Sequence, residues 1–310
     1  MKTLTILAFI VFACVSARGG IVLTIENDFI THSDDSYSHG TELEWVDDAR
    51  LVTSGDTRVG YGVHQLMYTP TNIHNPNNQP NDRPWCGILA AFRETWSRQG
   101  EPGNAWAEVV RTRIEAGVMG PAAMSEQSQT VIHKIVGSGK PEGWDNQMPD
   151  EPVVNLYQER HHPLQEYGRA NGFGSHLEAV YGGTVGTTFI NGLGGVLFRS
   201  GWNVQAYNIT GGIEPKGISG IHKSFLYATL ETDGMLVLHN ATLGESFFRN
   251  REAGHEQDLE HGVGMYRYGI VAGYGSLAAT YLIGERTREY KAQTKNTDWG
   301  LISLAYTSQF

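Results

Sequence analysis

The fold is decided by Tyr37-Ser38-His39-Gly40-Thr41-Glu42-Leu43-Glu44-Trp45-Val46, a stretch whose side chains alternate cleanly between two kinds. One face carries Tyr37, His39, Thr41, Leu43 and Trp45, and the opposite face carries Ser38, Gly40, Glu42 and Glu44. A period of two residues predicts a β-strand. One apolar, aromatic face and one small, acidic face are typical of a barrel wall that separates lipid from a polar lumen.

Similar patterns recur along the chain. We predict strands at residues 20–29, 37–46, 58–68, 85–97, 105–118, 153–167, 173–185, 188–199, 225–243, 263–274, 277–290 and 299–310. Twelve is an even number, as a closed bacterial-type barrel requires, and the last strand ends on the aromatic Phe310. The sequence therefore predicts an all-β protein, a 12-stranded antiparallel transmembrane β-barrel. The alternative is a soluble β-sandwich or a periplasmic barrel, because those folds alternate too.

The first residues have the pattern of a secretory signal peptide. Lys2 precedes an apolar run at residues 6–14, and small residues end the segment at Ala17. We predict a signal peptide at residues 1–17 and a single outer-membrane barrel domain at residues 18–310, with lipid attachment at Cys14 as the weaker alternative. Cys86 is then the one remaining cysteine, so no intrachain disulfide is expected.

Charge and hydropathy exclude several functional classes. The 310 residues carry a net charge of −10 without a basic cluster, which argues against a nucleic-acid partner. Beyond residue 17 the chain has no run of about 18 apolar residues, the length that a membrane-spanning helix needs. Contact with a membrane would therefore be made by strands or by the surface.

One segment, residues 119–139, has the pattern of a helix. Pro121 suits a first turn, and Gly137 and Gly139 supply a stop. An apolar face is predicted for Val131, Ile132, Ile135 and Val136, and a polar stripe for Glu126, Gln129 and His133. An imidazole held by amide and carboxylate groups can act as a general base near neutral pH. The alternative is that this stripe faces solvent without a function.

Four segments together resemble the outer-membrane lipid A 3'-O-deacylase family. They are Glu26-Asn27-Asp28-Phe29 followed by Ser33-Asp34-Asp35-Ser36-Tyr37-Ser38-His39-Gly40; Tyr68-Thr69-Pro70 leading to Asn81-Asp82-Arg83-Pro84-Trp85-Cys86-Gly87; Gly117-Val118-Met119-Gly120-Pro121 with Gln127, Gln129 and His133; and Gly143-Trp144-Asp145-Asn146-Gln147. The similarity is dense over residues 21–157, and only the strand pattern continues beyond them.

The resemblance implies a fold, a place and a reaction. It implies a 12-stranded barrel in the bacterial outer membrane, inserted by the barrel-assembly machinery, with one short helix from an extracellular loop beside the active site. The implied reaction is calcium-dependent removal of the 3'-linked acyloxyacyl chain of lipid A, the substrate carried by lipopolysaccharide. By the same resemblance, His133 activates water and Ca²⁺ supplies the oxyanion hole, much as in secreted phospholipases A2.

The resemblance also assigns Asn27 and Asp28 to the site, as the Asn-Asp pair at the end of the first strand, and Ser38 as the hydroxyl residue. The residue types suit this chemistry, since an ester hydrolase needs a base and a positive centre near the carbonyl oxygen. Calcium takes oxygen ligands, so Asp28 and Asn27 are the candidate metal ligands, and zinc is disfavoured. Strict alternation would put Asn27 and Asp28 on opposite faces, so either a bulge or a strand end must turn one of them.

Two further residues keep two interpretations each. Arg83 could bind a lipid A phosphate or anchor a loop through an ion pair with Asp82 or another acid. Gln129 could orient the imidazole or make a contact to the barrel.

We expect Cys86 to pack in the core rather than act as a nucleophile. Rival functions are an inactive outer-membrane barrel, serving as a porin or surface-binding protein, and an outer-membrane phospholipase.

Overall fold

The structure, a computed structural model, describes residues 20–31, 36–47, 57–99, 108–168, 172–204, 224–249 and 255–307. The predicted signal peptide lies outside these residues. The described strands form one closed antiparallel barrel in which each strand pairs with the next and β1 pairs with β12. They are β1 (Gly20–Asn27), β2 (Ser36–Asp47), β3 (Thr57–Thr69), β4 (Cys86–Gln99), β5 (Glu108–Met119), β6 (Glu151–Gly168), β7 (Phe173–Gly186), β8 (Phe189–Trp202), β9 (Ser224–Asn240), β10 (Gly262–Tyr274), β11 (Leu277–Arg286) and β12 (Thr297–Thr307).

The twelve predicted strands and the closed barrel are confirmed, and the three strands predicted at residues 20–29, 225–243 and 277–290 end earlier than predicted. Beyond β9, the side chain of Asn240 accepts a hydrogen bond from the Thr242 amide and starts a 3-10 turn at Ala241–Leu243. Beyond the end of β11, Tyr290 does not pair with β12 and forms an isolated β-bridge with Leu259 instead. Local hydrogen bonding in the connections therefore shortened the strands predicted at residues 225–243 and 277–290.

The alternation of side chains sorts them between the lumen and the outer surface. On β1, Leu23 and Ile25 are exposed on the outside, whereas Val22 and Thr24 are buried in the lumen. On β12, Ile302, Leu304 and Tyr306 are likewise exposed, and Ser303 and Leu301 are buried. A barrel with an apolar outer band and a polar interior is the architecture of an outer-membrane protein.

A β-bulge in β2 corrects the predicted faces of two residues. The pairing of β2 with β3 slips by one residue between Tyr37 and His39, so that Ser38 is the extra residue. Tyr37 therefore points into the lumen, where its hydroxyl donates to Glu26, and not outward with Trp45. Ser38 turns away from the acidic face to which strict alternation had assigned it. Both assignments were wrong because alternation cannot anticipate an inserted residue.

Ion pairs cross the lumen. Arg113 of β5 bonds Glu42 of β2 at 2.8 Å, although these two strands are not neighbours. Arg111 bonds Glu94 at 2.7 Å and Glu159 at 2.9 Å, on the strands to either side of β5. The space between such groups includes cavities of about 200 Å³ and about 220 Å³. The lumen is thus occupied by paired charges.

The connections opposite the chain termini form one rim, which we call the site rim. It consists of residues 28–35, 70–85, 120–150, 187–188, 241–261 and 287–296, of which 32–35 and 250–254 are not described. The connection at 120–150 carries the α-helix of the described structure, α1 (Ser125–Val136). Among the described residues, no helix is both long and apolar enough to cross a membrane.

Candidate active site

The helix α1 lies on the outside of the barrel with its polar side turned to the wall. Ser125 and Gln129 are 1% and 5% exposed, whereas Val131 and Ile135 are 57% and 77% exposed. The alternative that this polar stripe faces solvent is therefore wrong for Gln129. A helix with its apolar side outward and its polar side buried is suited to a lipid environment, where the ordinary preference for a buried apolar face is absent.

A glycine on the wall allows α1 to lie close to β4. A Cβ atom placed on Gly87 would lie 2.2 Å from the Ser125 hydroxyl oxygen, which no side chain could tolerate. The turn before the helix is fixed by β3, because Gln65 donates from Nε2 to the Ala123 carbonyl at 2.6 Å. The N-terminal end of α1 is thus held by two adjacent strands.

His133 lies in the last turn of α1 and is half-buried. Its Nδ1 is 2.7 Å from the carbonyl oxygen of Gly139. A carbonyl oxygen only accepts hydrogen bonds, so Nδ1 carries a hydrogen, and in the neutral ring Nε2 is the nitrogen with the lone pair. The left-handed conformation of Gly137, with φ 77°, turns the chain so that Gly139 can reach back to the ring.

A second rim loop supports this arrangement. His74 packs against Gly139, and its Nδ1 lies 3.1 Å from the Lys140 carbonyl oxygen. The backbone of Glu142 donates to the Ile73 carbonyl at 2.9 Å. The connection that follows α1 is therefore held against the connection between β3 and β4, and the imidazole has a fixed orientation.

Gln129, one turn before His133, is positioned by a tryptophan. Its Oε1 accepts a hydrogen bond of 2.7 Å from the Trp144 indole N–H, which can only donate. In the described residues this is the hydrogen bond that the Gln129 side chain makes, so its partner is Trp144 and not the imidazole. The side-chain NH₂ of Gln129 is consequently directed away from Trp144.

The first strand ends where the predicted Asn-Asp pair begins. β1 stops at Asn27, and Asp28 starts a 3-10 turn (Asp28–Ile30), so a strand end and not a bulge separates the two side chains. Asp28 is 2% exposed. Ile30 folds back over β12 at Gly300, where a Cβ atom would lie 2.2 Å from the isoleucine. The turn is thus packed onto the barrel.

Ser38 lies beside Asn27. The Asn27 amide donates from Nδ2 to the Ser38 carbonyl oxygen at 2.8 Å. The Ser38 hydroxyl is buried and hydrogen-bonded to the hydroxyl of Thr69. The structure therefore brings Asn27 and Ser38 into direct contact, and the contact runs through the Ser38 backbone.

A row of outward-facing polar side chains connects this strand end with α1. We call Asn27, His39, Thr41 and Gln65 the outer polar row. Asn27 Nδ2 lies 3.2 Å from His39 Nδ1, and His39 Nε2 lies 2.6 Å from the Thr41 hydroxyl. Thr41 is paired across the sheet with Gln65, the residue that bonds the turn before α1. The row crosses β1, β2 and β3 on the lipid-facing side of the barrel.

Comparison with known families decides what this barrel is related to. The model of the family described as outer membrane protein LpxR matches residues 3–308. The chain belongs to the LpxR family. The predicted family and the predicted outer-membrane location are therefore confirmed.

One solved structure of the LpxR family agrees with the fold. "LpxR from Salmonella typhimurium" is similar to this chain with a TM-score of 0.80 and 17% sequence identity, over 93% of this chain and 100% of that one. The β domain of the Bordetella autotransporter BrkA aligns with a TM-score of 0.47 and 11% identity, over 94% of this chain and 100% of that one. A comparison with curated protein sequences gave no match.

In this LpxR-family barrel, Arg83 is 1% exposed and engaged by the protein itself. Its guanidinium pairs with Glu289 and donates to the Thr242 hydroxyl at 3.0 Å, and it lies over the ring of Tyr68. These contacts join three rim connections. They match the loop-anchoring interpretation, with Glu289 in place of Asp82 as the acid.

The residues at the end of β1 are suited to a hard cation. Asp28 offers a carboxylate, Asn27 an amide oxygen, and the neighbouring turn backbone carbonyls, all of them oxygen donors of the kind that Ca²⁺ prefers. Among the described residues, no group of three or more His, Cys, Asp or Glu side chains is arranged to hold a metal ion. A cation here would therefore complete its coordination with carbonyl groups, water or substrate.

Sequence reasoning missed the contribution of His39, Thr41 and Gln65. The available signal was a pair of polar residues, His39 and Thr41, on the same face as Leu43 and Trp45, where a lipid-facing strand should be apolar. Trp144 lay within a quoted motif without an assigned role. Its contact with Gln129 depends on the folding of the rim loops, which spacing does not reveal.

Proposed function

We propose that this chain is a calcium-dependent lipid A deacylase of the outer membrane, which removes the 3'-linked acyloxyacyl chain by ester hydrolysis. The observation that carries the proposal is the outer polar row, which runs along the lipid-facing wall from the Asn27–Asp28 strand end to the turn before the helix that holds His133. A site on this wall is open to an acyl chain within the membrane. A site in the lumen would not be.

His133 is suited to the role of general base. Its Nδ1–H is held by the Gly139 carbonyl, so Nε2 can remove a proton from a water molecule as that water attacks the ester carbonyl. The same nitrogen then returns the proton to the departing alkoxide of the sugar. The products are a sugar hydroxyl and a free acyloxyacyl carboxylic acid, which releases its proton to water, and no covalent enzyme intermediate is needed.

Asp28 and Asn27 are proposed to hold the calcium ion. When bound, the ion supplies positive charge to the carbonyl oxygen as negative charge develops there. Ser38 and Gln129 are proposed to line the same site, Ser38 through the backbone contact to Asn27 and Gln129 through its side-chain NH₂. Arg83, buried in its ion pair, is the least suited of the predicted site residues to meet substrate.

The rival function of a porin is disfavoured by the lumen. Cross-barrel pairs such as Arg113–Glu42 occupy the path that a solute would take. The surface-binding rival does not explain why a histidine is oriented through its Nδ1 beside a buried polar helix face. The phospholipase rival shares the chemistry proposed here and differs only in its substrate.

The decisive experiment is mass spectrometry of lipid A and phospholipids from cells with and without the protein. We expect lipid A to lose one acyloxyacyl unit and the phospholipids to stay intact. His133→Ala should abolish the loss while the barrel still assembles, because proton transfer by a positioned base contributes about 10²–10⁴-fold. Chelation of calcium should silence the purified protein in detergent.

A matched control is His261→Ala. His261 also donates through Nδ1 to a backbone carbonyl, that of Val237, at 2.7 Å on the same rim. It should retain activity. Loss of phospholipid acyl chains with intact lipid A would support the phospholipase instead, and undiminished hydrolysis by His133→Ala or in chelator would refute the mechanism.

A further inference from the structure

His39 contacts Asn27 and Thr41, its two neighbours in the outer polar row, and these hydrogen bonds allow one arrangement of protons. The Ser38 carbonyl oxygen accepts only, so the atom of Asn27 that lies 2.8 Å from it is the NH₂ group. The same NH₂ group lies 3.2 Å from His39 Nδ1. Since this neighbour is a donor, Nδ1 must be the nitrogen without a hydrogen.

The opposite nitrogen completes the pattern. With Nδ1 as acceptor, Nε2 carries the hydrogen and donates it to the Thr41 hydroxyl at 2.6 Å. His39 is 8% exposed, so water competes little for either contact. The ring is therefore neutral and in the Nε2–H form, with each nitrogen used once.

These hydrogen bonds fix the orientation of the Asn27 side-chain amide. Both of its hydrogens are directed to the barrel, one to Ser38 and one to His39, which turns Oδ1 to the other side of the amide plane. Rotation of the amide by 180° would set its oxygen against the Ser38 carbonyl oxygen and against the His39 lone pair. The Ser38 carbonyl oxygen and His39 Nδ1, both acceptors, thus hold the Asn27 amide in one orientation.

We propose that His39 is a positioning residue that fixes the Asn27 amide with its oxygen facing the site. This inference rests on the proposed function in one respect, the use of that oxygen as a ligand for calcium. Partners of this kind, which contact a ligand and not the reacting atoms, typically contribute 10–100-fold to metal affinity or activity. His39 would act entirely through Asn27.

The test compares His39→Leu, which removes the acceptor, with His39→Asn, whose side-chain oxygen can replace Nδ1. Purified protein in detergent is assayed for deacylation and titrated with calcium. We expect His39→Leu to raise the half-saturating calcium concentration by about 10–100-fold, and His39→Asn to restore most of the loss. Thr41→Val should have a smaller effect in the same direction, because it removes only the partner of Nε2.

Nitrogen-15 NMR of the histidine rings gives a readout that does not depend on activity. We expect the His39 ring to be neutral with its hydrogen on Nε2, and the Asn27 NH₂ signals to change in His39→Leu. His162→Leu, on the exposed outer face of β6, is the matched control and should alter neither.

The outcomes separate the two proposals. If the wild-type protein does not deacylate lipid A but shows this tautomer and this change at Asn27, the proposed function fails and the contact stands. If the wild-type protein is active and His39→Leu matches it in rate and in calcium requirement, the positioning role is wrong. A His39 ring with its hydrogen on Nδ1 would overturn the inference in either case.

Discussion

The lumen and the outer polar row both hold polar side chains through contacts with one another, but they do so with different chemistry. In the lumen the groups are charged and lie beside groups of opposite sign, as in Arg113 with Glu42 and Arg111 with Glu94. On the outer wall the contacts of the row are between neutral groups, an amide, an imidazole and a hydroxyl. Paired opposite charges in the lumen stabilise the folded barrel. Neutral hydrogen bonds, each with one allowed donor and acceptor, can fix the orientation of a side chain.

This contrast separates stability from activity. Breaking a buried ion pair leaves an uncompensated charge and costs much folding free energy. Breaking one neutral hydrogen bond costs far less stability but releases the orientation of its partner. We therefore expect changes in the lumen to alter unfolding with little effect on turnover, and changes at the outer site to do the reverse.

The largest expected effect is on stability. Arg113→Met should lower the free energy of unfolding by about 3–5 kcal/mol, because it removes the buried cation that lies beside Glu42, Glu94 and Glu115 in the lumen. Urea unfolding of the purified barrel measures this. Arg160→Met is the matched control, since its pair with Glu108 is on the outer surface with the arginine 41% exposed, and should cost no more than about 1 kcal/mol. Equal effects of the two variants would remove the distinction drawn for the lumen.

A smaller effect is expected from pH at the rim. Burial opposes ionisation of Glu289, but Arg83 and Arg286 outweigh it and lower the pKa of its carboxyl group to about 2. In the unfolded chain a glutamate carboxyl group titrates at about pH 4.3. Its stabilising contribution is therefore complete above about pH 4.3 and is lost as the pH falls toward 2.

The measurement is urea unfolding of wild type and Glu289→Gln at pH 7, 4 and 3. The difference between them should be at most about 3 kcal/mol at pH 7 and should shrink on acidification. Glu260→Gln is the control, because Glu260 pairs with a half-exposed Arg288 at 3.8 Å. A constant difference across this range would show that the ion pair does not carry the effect.

The smallest expected effect is on the active site. Trp144→Phe removes the N–H that Gln129 accepts, and should lower the deacylation rate about tenfold, the equivalent of about 1.4 kcal/mol. Trp85→Phe is the matched control, since Trp85 packs against Trp144 but its own N–H has no hydrogen-bond partner among the described residues. Similar rates for the two variants would mean that Gln129 does not need to be oriented.

The strands could be predicted from sequence because their signal is local. Wherever strand pairing is regular, apolar residues mark the lipid-facing side, as Leu43 and Trp45 do in β2 and Ile302 and Leu304 do in β12. Tyr37 and Ser38 were placed wrongly because a bulge depends on the neighbouring strand. The position of His133 on a helix was also predicted, and Gly137 ends that helix as expected. Pro121 was expected in its first turn but starts a separate 3-10 turn (Pro121–Ala123), and α1 begins at Ser125 because Met124, in the left-handed conformation, separates the two.

The contacts of the site could not be predicted, because they join residues far apart in the chain. Gln129 meets Trp144 only after the connection at 120–150 folds back on itself, and Gln65 reaches Ala123, 58 residues away, only because α1 lies against β3 and β4. The buried pair of Arg83 and Glu289 joins positions 206 residues apart. A single sequence offers two interpretations of such residues, and the folded structure is needed to choose between them.

The outward apolar side of α1 has a practical consequence. Val131 and Ile135 would repel water, so the arrangement of α1 on the wall is held in place by surrounding hydrocarbon as much as by the protein. In a short-chain detergent that covers this side of α1 poorly, the protein should lose activity while the barrel stays folded. The detergent assays of each variant should therefore be compared with its activity in lipid vesicles.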